Sequence, residues 1–226
     1  MHKIAIIALC TLPLFAGFFP QTVHTSVSSV DKKSVTLTQP LPIDGMSGVV
    51  VHHYSNNLNA ITARIVQLNT TKIRLLNSNI IHHDKLPTIN TPVHIGDEVI
   101  GGYLYDNILL LAPDAQTYSQ ITSMDSKNWI HPDLFALYLS KIGDTIPTKE
   151  NLKTFAKDYQ VGLIYIITKD SAKLLDPISG KIVGTKSISG LPAKGEAPFF
   201  MRFDEIESGM FSSSNTKSYY KIMSAF

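Results

Sequence analysis

A change of hydrophobic period partway along the chain constrains its fold more than any other feature. From Ser34 to Ala112 the apolar residues come in short alternating or continuous runs, cut repeatedly by turn chemistry. Val35 and Leu37 alternate toward Leu41, and Pro40 and Pro42 place the end of that run at an edge. Asp44-Gly45-Met46-Ser47-Gly48 turns the chain into Val49, Val50 and Val51, and Ser55 to Asn59 form a second turn. Ile61–Val66 and Lys72–Leu76 flank Asn69-Thr70-Thr71 and predict a hairpin. Gly101 and Gly102 follow Val99 and Ile100 and permit a bend or bulge, and Asp106-Asn107 lead into Ile108–Leu111. Short strands with glycine punctuation and no helical period predict a small barrel or sandwich over residues 34–125.

Beyond this block the period lengthens. Asp114 is placed to cap a short helix over 114–121. Pro132 suits a first helical position, Asp133 a first turn, and Gly143 a stop. Thr148 is placed to cap a further helix, on which Leu152, Phe155, Ala156 and Tyr159 recur at i, i+3, i+4, i+7. Three strands follow: Val161–Thr168, Ala172–Leu175 and Lys181–Gly184, the last two joined by Asp176-Pro177-Ile178-Ser179-Gly180. The fold class is therefore α+β: a β-rich first half, then two helices packed on an antiparallel three-stranded meander over 126–226.

The N-terminus carries an address. Lys3 precedes an apolar run from Ile4 to Phe19, which is shorter than the roughly 20 residues that span a bilayer and is broken by Pro13. Residues 1–19 are expected to be a signal peptide cleaved between 16 and 25, with Leu14-Phe15-Ala16 and Val23-His24-Thr25 as the two options. Residues 20–33, small and polar, are expected to be a flexible lead-in. The sole cysteine, Cys10, lies within the leader, so disulfides, thiolate metal sites and cysteine nucleophiles are excluded from the exported chain. With no second spanning segment, the expected location is the periplasm, outer membrane or cell surface. Charged residues make up 17% of the chain with a net charge of +2, and the basic ones are scattered, which argues against nucleic-acid binding.

No catalytic constellation emerges, and the expectation is a non-enzyme with no cofactor and no small-molecule substrate. His52-His53 and His82-His83 join His94 and His131 as possible metal ligands, with Asp84 as a possible carboxylate. Neighbouring residues in a strand point to opposite faces, so a His-His pair cannot chelate from within one. The expectation is no metal site, and the one route open to it is a loop bringing His82 or His83 beside His94. Gly45-Met46-Ser47-Gly48 fails the nucleophile-elbow spacing, and Gly180-Lys181 and Gly184–Ser187 lack that of a phosphate loop. Asp97 and Glu98 are adjacent and diverge. Trp129, at the junction of the two halves, is expected to be a packing anchor, with an exposed contact role as the alternative. Phe199 and Phe200 are expected to dock on the core; left exposed, they would make an interaction patch.

Several blocks together carry a resemblance. They are Gly45–Val51, Gly96–Val99 with Leu110–Pro113, Pro132–Phe135, Tyr159–Ile167 and Ala197–Arg202. In this order and spacing the chain resembles the N-terminal domain of the bacterial plasminogen-binding surface proteins PgbA and PgbB, over residues 34–223. The resemblance implies an exported protein-binding or adhesin-like surface protein whose partner is plasminogen. Plasminogen's kringle modules take lysine, above all a C-terminal lysine, and the last residue, Phe226, counts against that partner. Lys217 and Lys221 are the candidate lysines, and Trp129, Phe199 and Phe200 complete the candidate protein-binding residues. A fainter likeness, of fold alone, is to flagellar and envelope assembly proteins, which implies the alternative of a periplasmic or outer-membrane scaffold that does not bind plasminogen.

Overall fold

The computed structural model describes residues 17–32, 34–55, 57–70, 72–76, 91–203 and 218–226. The first half closes into a barrel. Its strands are β1 (Val23–Asp31), β2 (Ser34–Leu37), β3 (Ser47–His53), β4 (Asn59–Asn69), β5 (Lys72–Leu76) and β6 (Glu98–Gly101). They pair antiparallel in the order β1-β2-β5-β4-β3-β6, and β6 returns to β1, so no edge of this sheet is left open. Alternate residues fill the interior: Val27, Val35, Leu37, Val50, Ile65, Ile73 and Val99 are buried in the core. The expected hairpin is seen in the antiparallel pairing of β4 with β5, where Asn69 lies opposite Lys72.

The expected flexible lead-in over 20–33 is corrected. Strand β1 occupies most of it, paired with β2 on one side and β6 on the other. Its run of serines and its isolated valines hide it, because only Val27 is buried there while Ser28–Asp31 face solvent. The strand is held by backbone hydrogen bonds, which every residue type supplies.

The second half is built on a mixed five-stranded sheet of order β11-β10-β9-β7-β8. Its strands are β7 (Asn107–Leu111), β8 (Asn128–Ile130), β9 (Leu163–Ile167), β10 (Ser171–Asp176) and β11 (Lys181–Ser187). The meander β9-β10-β11 is antiparallel as expected. It is not the whole sheet: β7 pairs parallel with both β9 and β8. The continuous apolar run of β7 suits a central strand buried on both faces, and Ile108–Leu111 are each fully buried. The helices are α1 (Ala115–Met124), α2 (Pro132–Ile142), α3 (Lys149–Asp158) and α4 (Tyr219–Met223). Their caps are those read from the sequence: Asp114 accepts from Thr117 N–H, Thr148 forms a capping box with Asn151, and Gly143 ends α2 at a φ of 79°. On α2 and α3, Phe135 and Phe155 meet with centroids 4.9 Å apart. The Tyr219 hydroxyl of α4 lies 2.8 and 2.9 Å from the carbonyl oxygens of Leu111 and Ile167, tying that helix to β7 and β9.

One buried carboxylate joins the barrel to the sheet. Asp176, at the end of β10, accepts from Ser47 N–H of β3 (2.9 Å), from the Tyr105 hydroxyl (2.7 Å), and from Ile178 and Ser179 N–H (2.9 Å each). Gly162 supplies a second close approach, since a Cβ there would stand 1.9 Å from the Leu104 carbonyl oxygen.

Candidate functional site

The titratable side chains of the barrel concentrate where β1, β6 and β3 lie side by side. Their order follows from the two-residue period of strands. Val50 of β3 and Val99 of β6 are paired and fill the barrel interior. Two positions on, His52 reaches the rim of that interior and meets Asp97, which lies two positions before Val99. The His52 Nδ1 and Asp97 Oδ1 are 2.7 Å apart. Asp97 is 5% exposed, and its other oxygen accepts from His94 N–H at 2.8 Å. The His94 ring is exposed and centred 5.1 Å from that of His52, with Tyr54 edge-on to His52 at 4.6 Å.

On the outer wall Glu98 stands between two histidines. Its oxygens lie 2.7 Å from His24 Nδ1 and 3.0 Å from His53 Nε2, and His53 Nδ1 is 2.7 Å from the Asn59 side-chain oxygen. Hydrogen bonds to Asn59 and Glu98 raise the His53 pKa above 6.5. The Glu98 carboxyl is held below 4.5 by the hydrogen bond from His24, against the opposing effect of burial, with His53 adding to the depression. The expected divergence of Asp97 from Glu98 and of His52 from His53 is therefore seen. Among the described residues the histidine that meets His94 is His52; His82 and His83, whose approach to His94 was the one route left open to a metal site, lie outside the described residues. Cross-strand register brings His52 to Asp97, and the period-2 pattern of β3 and β6 is the signal from which it could have been read.

A second surface lies on α2. Phe135, Ala136 and Leu139 face the core, while Leu134 and Leu137 are 43% and 53% exposed. Asp133, at the helix start, accepts from Arg202 N–H at 2.9 Å and from its Nε at 2.6 Å. Burial pushes the Asp133 carboxyl up, but these hydrogen bonds and the charges of His131 and Arg202 outweigh it, and its pKa lies below the ordinary value. This clamp carries the half-exposed Phe203 to the same end of α2.

The candidate protein-binding residues fall in different places. Phe199 is fully buried and stacks on Phe135 at 5.6 Å, so it presents no surface to a partner. Phe200 is half-buried between Tyr118 and His131. Trp129, on β8, is half-buried with its Nε1 donating to the Asp125 carbonyl at 3.0 Å. Its ring approaches Phe19 and Tyr165, at 6.4 and 6.2 Å. Lys221 is exposed on α4, and Lys217 lies outside the described residues. Of the four that are described, Phe199 is buried and Phe200, Trp129 and Lys221 lie on different elements. A cleft between the two halves is lined by Ser47, Arg64, Tyr103, Lys157, Gln160 and Ile178.

Comparison with known proteins gives a consistent result. The family described as plasminogen-binding protein pgbA N-terminal matches residues 22–225. A protein of Helicobacter pylori strain 26695 named plasminogen-binding protein PgbA is 31% identical over 158 residues, covering 67% of this chain and 34% of its own length. Its counterpart in strain J99 is 31% identical over 142 residues, covering 60% and 31%. The chain thus spans about a third of the length of these relatives. No solved structure matches it.

Proposed function

The chain belongs to the PgbA N-terminal family, and from that membership we propose an exported, non-enzymatic protein-binding module of the cell envelope or surface, with plasminogen as the first partner to test. The family match over nearly all of the chain after the leader carries this reading. Export is supported by the leader, and processing after Ala16 is favoured over processing after Thr25. Phe18 and Phe19 pack on Tyr165, with centroids 5.2 and 6.1 Å away, and Thr25 lies inside β1. Removing residues through 25 would strip the start of the strand that closes the barrel.

The test is capture of plasminogen by the immobilised exported chain. Capture that a soluble lysine analogue competes away, and that Lys221→Ala and Lys217→Ala weaken, supports the reading; no capture at micromolar protein overturns it. The exposed Leu134 and Leu137 favour a second reading, an envelope scaffold with an apolar protein partner. That reading predicts co-purification with an envelope assembly, lost on Leu134→Asp with Leu137→Asp, whether or not plasminogen binds.

A further inference from the structure

We infer that His52, His94 and Asp97 form a binding site for one divalent transition-metal ion of the zinc class at the rim of the barrel. The three come from β3 and from the turn that leads into β6, and one donor atom of each lies within 4.8 Å of the others. Two borderline imidazole nitrogens beside one carboxylate oxygen suit zinc, whereas calcium and magnesium favour all-oxygen shells. Three protein ligands leave one tetrahedral position for water.

The site is partly prearranged. Asp97 is buried, and its Oδ2 is held by His94 N–H, which fixes the carboxylate and turns Oδ1 toward His52. Tyr54, edge-on at 4.6 Å, restricts the His52 ring. The third ligand, His94, is exposed on a turn. Tetrahedral bonds of about 2.0–2.2 Å place donors roughly 3.4 Å apart, a closure that rotation of the exposed His94 side chain can provide. A structural hydrogen bond accounts for His52 and Asp97 alone. It leaves unexplained the His94 ring, whose donor atom is within reach of both. The outer-wall set is different in kind: there Glu98 already lies between its two histidines and hydrogen-bonds to each. On binding, the cation replaces the hydrogen bond between His52 Nδ1 and Asp97 Oδ1; the Nδ1 proton passes through solvent to Nε2, and the imidazole ligates through Nδ1.

This inference is independent of plasminogen, and its test uses zinc alone. The exported chain is stripped with chelator and titrated with zinc chloride by calorimetry. The expected result is one site with Kd at or below about 10 μM. His94→Gln and His52→Gln each weaken it about tenfold or more, while the outer-wall double variant His24→Gln, His53→Gln leaves it unchanged. His94 is exposed, so its variant keeps the fold, which circular dichroism checks. Absence of zinc binding overturns the inference. Binding that survives both the His52 and the His94 variants, or that is lost instead in a His82→Gln, His83→Gln variant, also overturns it.

Discussion

At the scale of single residues, environment separates groups of identical chemistry. His53 and Glu98 shift each other's pKa in opposite directions across the outer wall. His53, raised above 6.5, contributes stability in full below that pH and loses it as pH rises through the folded-state value. Glu98, depressed below 4.5, contributes above that pH and loses it as pH falls through its folded-state value. The pair is therefore strongest between pH 4.5 and 6.5. An NMR titration should show His53 titrating above 6.5 and moving down in Glu98→Gln; an unchanged value would exclude the coupling. Tyr165 is the opposite case. Its hydroxyl is buried with no hydrogen-bond partner among the described residues. Tyr165→Phe should keep the ring packing and stabilise the protein by about 1 kcal/mol, read as a higher urea midpoint at an unchanged slope.

At the scale of elements, helices α1, α2 and α3 were legible because their ends carry chemistry, whereas α4 has no side-chain cap to announce it. Asp114, Pro132, Gly143 and Thr148 each occupy the cap position or first turn that their side chain or backbone suits. Strand β1 was hidden because its serines hydrogen-bond through the backbone and only one valine needs burial. Sequence reasoning gave β7 a strand but not a sheet, since a continuous apolar run says "buried on both faces" without naming neighbours. Gly162, just before β9, shows the tolerance of that packing. Its Cα approaches the Leu104 carbonyl so closely that any side chain collides with backbone. Gly162→Ala should cost about 2–3 kcal/mol, measured as a lower thermal midpoint. A neutral substitution would mean that the segment 103–106 yields freely.

At the scale of the molecule, the fully buried Asp176 is a polar link between barrel and sheet. Asp176→Ala leaves Ser47 N–H and the Tyr105 hydroxyl buried without their acceptor, at a cost of about 4 kcal/mol. Burial and the neighbouring Asp176 charge already hold the Tyr105 hydroxyl firmly protonated, so it remains a donor in the variant. Trp129, the only tryptophan, reports on the second sheet alone. In the wild type its fluorescence and far-ultraviolet circular dichroism should report one transition, and in Asp176→Ala two; coincident transitions in the variant would show that other contacts carry the coupling. Local sequence was enough for the α+β class, for the place of the sole cysteine in the N-terminal apolar run, for the caps and hairpins, and for the family resemblance. These depend on local periodicity, on backbone preferences of single residues and on the order of blocks. Barrel closure through β1, the parallel placement of β7 inside the second sheet and the meeting of His52 with Asp97 and His94 came from the tertiary structure alone. Each of these joins segments whose register is set by the barrel or sheet as a whole, a relation that no window of sequence contains.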